Sequence, residues 1–129
     1  MPIQLASDIL QKKIADSEQQ IRQAFDRFGD EMVVAWTGGK DITLVLYLAK
    51  RVCDADGRGL PKCFCIDEGD MFDEVRGFLD PLCRDWGVDL TIIRNDDVIR
   101  AACGELGAEV NVGDLNERNR REIERLGYE

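Results

Sequence analysis

The residues best suited to chemistry form one short polar turn, Thr37-Gly38-Gly39-Lys40-Asp41. Glycines allow a positive φ and let a ligand approach the main chain closely. If a helix starts directly after the turn, its first N–H groups and its dipole attract an anion. Thr37 can donate a hydroxyl hydrogen bond, and Lys40 supplies a positive charge. We therefore predict that this turn binds phosphate or pyrophosphate.

Two other phosphate-binding patterns do not fit this turn. The Walker A pattern needs glycine five residues before Gly39 and serine or threonine after the lysine, where this chain has Val34 and Asp41. The dinucleotide-binding pattern needs Gly-x-Gly-x-x-Gly, which Gly38-Gly39 does not supply. The remaining alternative is a tight strand-to-helix turn with Lys40 in water.

The elements that must position this turn alternate between strand and helix. Apolar runs predict strands near 32–36, 62–66 and 88–93, and apolar residues at helical spacing predict helices at 7–28, 42–53, around 75–82, 96–106 and 114–126. This order predicts a three-layer α/β/α fold with a parallel sheet, in a single domain spanning 1–129. Ligands of such sheets bind beyond the carboxyl ends of the strands, where the turns at 37–41 and 67–70 both fall.

Local signals add detail to these elements. The run Met32–Trp36 is apolar throughout, which predicts a strand buried on both faces. Ser7 is expected to cap the first helix, and Asp114-Leu115-Asn116-Glu117 fits a capping box for the last one. Pro81 is expected to break or kink the third helix.

The composition argues against several classes of function. The chain has 129 residues, with 17 basic and 26 acidic side chains and a net charge of −9 at pH 7. Phosphate backbones repel such a chain, so we expect no nucleic-acid partner, although a local loop can still hold a small nucleotide. No apolar run approaches the roughly 20 residues that cross a bilayer, and residues 1–14 lack the apolar centre of a signal peptide. We expect a cytoplasmic protein with no membrane partner.

The nucleophiles and bases of the sequence are few. Histidine is absent, which removes the commonest general base and the Ser-His dyad. Five cysteines, an odd number without an export signal, predict reduced thiols. Cys63 and Cys65 share one face of the second predicted strand. Core packing is favoured for them over a metal or redox role, because zinc and iron–sulfur sites usually show two-residue gaps and further paired ligands. We expect no metal site.

Two motifs together resemble a known family. The segment Thr37–Ile42 resembles the Ser-Gly-Gly-Lys-Asp-Ser pyrophosphate loop of the ATP-pyrophosphatase (PP-loop) superfamily. The segment Ile66-Asp67-Glu68-Gly69, followed by Phe72, Glu74 and Phe78, resembles the stretch after the second strand in phosphoadenylyl-sulfate (PAPS) reductases and in the small subunit of ATP sulfurylase. The similarity covers about 7–94. It implies an adenine-nucleotide-binding fold of the adenine nucleotide alpha hydrolase type, with strand order 3-2-1-4-5.

The resemblance also implies a site and a ligand. It assigns the phosphates to Thr37, Gly38, Gly39, Lys40 and Asp41, and it assigns the lining of the nucleotide pocket to Asp67, Glu68 and Gly69. The ligand would be ATP, PAPS or adenylyl sulfate, and Mg²⁺ could accompany the nucleotide. If the chain is catalytic, the reaction would be sulfonucleotide reduction or adenylyl transfer. No cysteine lies in a matching context, so no catalytic nucleophile is assigned.

The sequence departs from the family in three respects. Thr37 replaces the first serine of the loop but keeps a hydroxyl. Ile42 replaces the last serine of the loop and removes a hydroxyl, and Thr43 points about 100° away around a helix. The chain is also about half the usual family length and lacks the usual C-terminal half. One alternative is therefore a catalytically degenerate binding or regulatory module that works with a partner chain. A structural protein whose loop is only a turn is the other alternative.

The missing strands of the family have a consequence for assembly. Without a fourth strand, the run Met32–Trp36 would form an apolar sheet edge, which invites pairing with another chain. The segment Glu109–Val112 could cover this edge instead. We expect a homodimer or a complex with a partner chain.

Overall fold

The computed structural model describes residues 3–128, apart from the side chains of Ile3 and Leu5. The helices and strands in these residues are α1 (Ile3–Phe28), β1 (Val33–Ala35), α2 (Lys40–Asp56), β2 (Lys62–Asp67), α3 (Asp73–Trp86), β3 (Leu90–Arg94), α4 (Asp96–Ala101) and α5 (Glu117–Leu126). They confirm the predicted α/β class: a three-strand parallel sheet alternates with helices in a Rossmann-like arrangement. None of the helices in the described residues is long and apolar enough to cross a membrane.

The sheet has the strand order β1-β2-β3, which places β1 at an edge. Val34 of β1 lies opposite Cys63 of β2 in parallel register. The N–H of Cys63 in turn donates to the carbonyl oxygen of Asp89, just before β3, at 2.8 Å. The segment 109–112 adds no strand to this sheet among the described residues, since residues 109–111 have no regular structure and Val112 begins a 3-10 turn.

The described residues, 3–128, form two compact units. The first contains α1, α2, α3, β1 and the amino-terminal parts of β2 and β3, and its residues run to Cys65 and then from Asp73 to Thr91. Its core consists of fully or almost fully buried apolar side chains, which are Phe25, Trp36, Leu46, Leu48, Ala49, Val52, Cys53, Cys63, Cys65, Leu79 and Val88. Burial of Cys63 and Cys65 on one face of β2 confirms that they pack in the core.

The strand β1 is buried on one face, so the prediction of burial on both faces was wrong. Val33 is 58% exposed and Ala35 is exposed, whereas Val34 is half-buried and Trp36, just after the strand, is fully buried. An apolar sequence allows both faces of a strand to be buried. Whether both faces are buried depends on which helices and strands pack against them. Here β1 is an edge strand whose outer face remains accessible.

Three helix boundaries differ from the prediction. Pro81 lies inside the assigned helix α3 and does not end it. It removes one N–H donor, while burial of neighbouring Leu79 holds this part of the helix against the core. Ser7 lies inside α1, because that helix already includes Ile3. The helix predicted at 96–106 ends at Ala101, because the backbone turns to positive φ at Cys103.

The second unit comprises Ile66–Phe72 together with the chain from Ile92 through α5. The cap of α5 is Asn116, whose side chain accepts from Asn119 N at 2.9 Å, so the predicted capping box starting at Asp114 was wrong. Asp114 instead ends a 3-10 turn, and asparagine is as good a cap as aspartate. The Asp97 carboxylate joins α4 to the start of α5, because its Oδ2 accepts from Asn116 N at 2.9 Å and from Asn119 Nδ2 at 2.8 Å.

The Asp97 contacts predict an acid-sensitive junction between α4 and α5. The Asn116 N–H, and secondarily the Asn119 amide, lower the pKa of Asp97 below its ordinary value. A lowered pKa in the folded state gives a stabilisation that is complete above the unfolded value, about 4, and that is lost as the pH falls through the folded value. We therefore expect Asp97→Ala to lose less stability than the wild type between neutral pH and about pH 3. Thermal unfolding monitored at a series of pH values checks this, and parallel curves for the two proteins would contradict it.

Candidate functional site

The turn after β1 leaves the start of α2 without a side-chain cap. Gly38 has φ 86°, in the region that favours glycine. Gly39 is the residue before the helix, with φ −64° and ψ 152°, and no side chain caps the first turn. The Thr43 N–H bonds the carbonyl oxygen of Gly39 at 3.0 Å, so the regular helical bonds begin there. The N–H groups ahead of Thr43 in the first turn of α2 are those that a helix leaves for an external acceptor.

Contact with α3 fixes the position of Gly38. A Cβ atom at Gly38 would lie 3.3 Å from Val75 Cγ1, 3.5 Å from Leu79 Cδ2 and 3.7 Å from Phe78 Cδ1. A side chain here is therefore strained by the positive φ, and its Cβ would make a tight contact with Val75. Gly39 differs, since a Cβ there would meet only Ile42 Cγ2, at 3.9 Å. Gly38 determines the shape of the turn, and Gly39 leaves its backbone open.

The charged side chains of the turn lie in solvent. Lys40 Nζ and Asp41 Oδ1 are 3.1 Å apart, and the two side chains are 91% and 90% exposed. An ion pair this exposed contributes about 0–1 kcal/mol. Lys40 can therefore leave Asp41 for a phosphate at little cost, and Thr37 is also exposed beside it.

The hydroxyl of Thr43, next to Ile42, already accepts a hydrogen bond. Trp36 Nε1 donates to Thr43 Oγ1 at 2.9 Å, and Trp36 is fully buried. Ile42 lies in an apolar groove formed by α1, β1 and α2. Residue 42 therefore has no hydroxyl to offer, and the hydroxyl oxygen of Thr43 faces the buried Trp36. The hydrogen bond from Trp36 to Thr43 was not predicted from the sequence. The only signal for it is that Thr43 is a polar residue about one turn into α2.

The acidic turn after β2 belongs to the second unit. Asp67 is only 8% exposed, and both of its oxygens are engaged: Oδ1 accepts from Gly69 N at 2.9 Å, and Oδ2 accepts from Arg94 Nη1 at 2.9 Å. Gly69 has φ 95°, and a Cβ there would lie 3.2 Å from Ile99 Cγ1. Glu68 is exposed. Asp67 and Gly69 thus shape this turn. Between them, Glu68 directs its side chain into solvent.

Arg94 was missed by the sequence reasoning. Its Nε also contacts Asp96 Oδ1 at 3.2 Å, and this hydrogen bond, followed by the charge of Asp67, raises the pKa of Arg94. The available signal was positional, because Arg94 ends β3 as Asp67 ends β2, and these strands are neighbours in the sheet.

The structure therefore groups the predicted residues into two sets. Thr37–Asp41 follow β1 within the first unit, and Asp67–Gly69 close β2 within the second unit. Each set lies at the carboxyl end of a strand. No group of three His, Cys, Asp or Glu side chains in the described residues is placed to hold a metal ion.

Three of the thiols are poor nucleophiles at neutral pH, because burial raises their pKa. Burial raises the pKa of Cys63 to about 11, and it also raises the pKa of Cys53 and of Cys83. Since the thiolate is the reactive form, these three side chains act as apolar packing groups. Cys103 is exposed, on the turn after α4.

The chain matches no model of a known protein family, no curated protein and no solved structure. The resemblance to PAPS reductases therefore rests on the two sequence motifs at 37–42 and 66–78.

Proposed function

We propose that the chain is a PAPS-reductase-like protein that binds an adenine nucleotide and holds its phosphates in the turn Thr37–Asp41. The observation that carries the proposal is the conformation of this turn. Gly38, at φ 86° and in contact with α3, sets a bend that leaves the start of α2 uncapped. An uncapped helix start with a neighbouring lysine is suited to phosphate.

Phosphate binding must depend on local donors, because the overall charge opposes it. The chain as a whole carries −9, so long-range electrostatics oppose any anion. Binding must then come from short-range donors, namely the N–H groups of the first turn, the Thr37 hydroxyl and Lys40. Asp41 cannot contact a phosphate oxygen directly without repulsion. Its assignment to the site therefore implies a cation such as Mg²⁺ brought by the nucleotide.

The adenine part of the proposal depends on the resemblance. It points to ATP, PAPS or adenylyl sulfate as ligand, and it adds Asp67, Glu68 and Gly69 to the nucleotide pocket. Asp67 and Gly69 would act through the shape of their turn, since the oxygens of Asp67 already bond Gly69 and Arg94. Glu68 is exposed and would be the residue whose side chain contacts the ligand.

Binding without turnover is the second candidate function. Two features favour it, the raised pKa of the buried thiols and the residue at position 42 of the loop. Burial raises the pKa of Cys53, Cys63 and Cys83, which keeps these thiols protonated at neutral pH. Ile42 also brings an apolar side chain to the helix start where the family has a hydroxyl. A binding or regulatory module that acts with a partner chain accounts for both features.

Lys40→Ala tests the proposed function. A hydrogen bond from a charged group contributes about 1.5–3 kcal/mol, so we expect the variant to bind ATP or PAPS roughly 10- to 150-fold more weakly than the wild type. Isothermal titration calorimetry with each nucleotide, with and without Mg²⁺, provides the measurement.

Lys12→Ala is the matched control. Lys12 is an exposed lysine of α1, paired with Asp16 at 2.6 Å, and its removal changes the net charge by the same amount. Its affinity for the nucleotides should stay close to that of the wild type. An equal loss in both variants would mean that only the overall charge matters. Absence of wild-type binding at millimolar nucleotide would reject the proposal and leave the turn as a structural feature.

A further inference from the structure

The exposed edge of β1 opens into an uncharged groove in the first unit. The groove has a volume of about 540 Å³, and its walls are formed by α1, β1 and α2. Its lining residues are Ser17, Gln20, Ile21, Ala24, Met32, Val33, Val34, Ala35, Ile42, Leu44, Val45, Leu48, Ala49 and Pro61. None of them is charged, although a third of the chain is charged. A surface of this kind on a strongly acidic chain fits an apolar, uncharged partner segment.

The hydrogen bonds of the sheet show which backbone groups face the open side. In a parallel pair, one residue directs both N–H and C=O to one neighbouring strand, and the next residue directs both away from it. Trp36 N donates to Phe64 O at 2.8 Å, so Trp36 and, two residues earlier, Val34 face β2. Val33 and Ala35 therefore direct their N–H and C=O groups to the open edge, where the described sheet has no further strand.

This edge is complementary to itself. If two copies meet antiparallel about a two-fold axis at Val34, Val33 of each copy lies opposite the partner's Ala35. Each of these two pairs then exchanges both of its N–H···O bonds, as the hydrogen-bonded pairs of an antiparallel ladder do. A shift by one residue would place outward groups opposite inward ones, and a shift by two would leave only one such pair of residues within the strand, so this register forms the most hydrogen bonds.

We propose that β1 pairs with a further strand along this edge, and that β1 of a second copy supplies that strand, which extends the sheet across a two-fold axis. The segment needed is extended, apolar and uncharged, and β1 has this character and the same open edge in every copy. Three strand residues are too few to hold a dimer together. Exposed Leu44 and Val45 on the adjoining helix α2 add apolar surface at the same groove. This proposal is independent of nucleotide binding.

The net charge gives the dimer a characteristic salt dependence. Two chains of −9 repel each other, and salt screens this repulsion over about 10 Å at 0.1 M. Low salt does not strengthen binding in the groove itself, because none of its lining residues is charged. We expect the dimer to tighten as the ionic strength rises, whereas a contact held by ion pairs would weaken.

Sedimentation of the wild type and two edge variants tests the proposal. Ala35→Pro removes an outward N–H and leaves the bonds to β2 in place, since edge strands tolerate proline. Val33→Lys adds a charge that natural edges use against pairing. Each should raise the dissociation constant of the dimer about ten-fold or more. Circular dichroism shows whether the fold is intact, and Val33→Lys decides the matter if Ala35→Pro fails to fold.

Phe72→Lys is the control, because it also replaces an exposed apolar side chain by lysine, and Phe72 does not line the groove. It should dimerise as the wild type does. A wild type that is monomeric at some hundreds of micromolar in high salt would overturn the proposal and leave the edge to a strand of another protein. Dimers that Val33→Lys and Phe72→Lys affect equally would also overturn it.

Discussion

Leu79→Ala is expected to lower the free energy of unfolding by about 2–5 kcal/mol. Leu79 is 0% exposed, on the face of α3 that meets the core and the Gly38 turn. Removing its side-chain carbons loses apolar burial and leaves a cavity that the surrounding close-packed side chains fill only in part. Since small domains are stable by only about 5–15 kcal/mol, this one change removes a large part of the total. Urea denaturation followed by circular dichroism measures it.

Leu10→Ala is the matched control for this effect. Leu10 is a half-exposed leucine of α1, so the same chemical change there removes little buried surface. It should cost less than about 1 kcal/mol. A similar loss at both positions would mean that α3 does not pack on the core as described.

Gly38→Val is expected to destabilise the protein and to weaken the proposed nucleotide binding. A β-branched residue at φ 86° is strained by about 1–3 kcal/mol, and its Cβ would lie 3.3 Å from Val75 Cγ1. The added side chain therefore needs either a small shift of Val75 or a change in the turn, and a change in the turn displaces the first N–H groups of α2. We expect a loss of roughly 2–5 kcal/mol in stability and a larger loss of ATP or PAPS affinity than in Lys40→Ala.

Gly39→Ala is the control that also replaces a glycine of the turn, but at a position without a positive φ. Residue 39 has φ −64°, which alanine adopts readily, and a Cβ there meets only Ile42 at 3.9 Å. Its stability should fall by less than about 1 kcal/mol. Equal destabilisation by Gly38→Val and Gly39→Ala would show that the positive φ of residue 38 is not what the turn requires.

The strands and the fold class could be predicted because their signals are local. The apolar runs near 32–36, 62–66 and 88–93 became β1, β2 and β3, and the Gly-Gly turn lies between β1 and α2 as expected. A run of apolar residues between turns and helices is a property of the sequence itself. The alternation of strand and helix then leaves few arrangements other than a parallel sheet.

The errors arose where contacts decide the outcome. Burial of β1 on one face depends on which elements lie next to it, and the apolar sequence of Met32–Trp36 is silent on that. The assignment of helix across Pro81 depends on neighbouring contacts, including burial of Leu79, which can outweigh the loss of one backbone hydrogen bond. The ion pair of Asp67 with Arg94 joins residues 27 positions apart, so it can be predicted only if the order of the strands in the sheet is known.

The position of Trp36 has a consequence for optical experiments. Its indole is fully buried and hydrogen-bonded to α2, while the next residue along the chain is Thr37, the first of the turn that we propose to bind phosphate. A movement of that turn is transmitted through one peptide bond to a chromophore whose emission depends on its surroundings. Once the second tryptophan, Trp86, is replaced, Trp36 is an intrinsic fluorescent reporter beside the turn, which makes changes there observable without any added label.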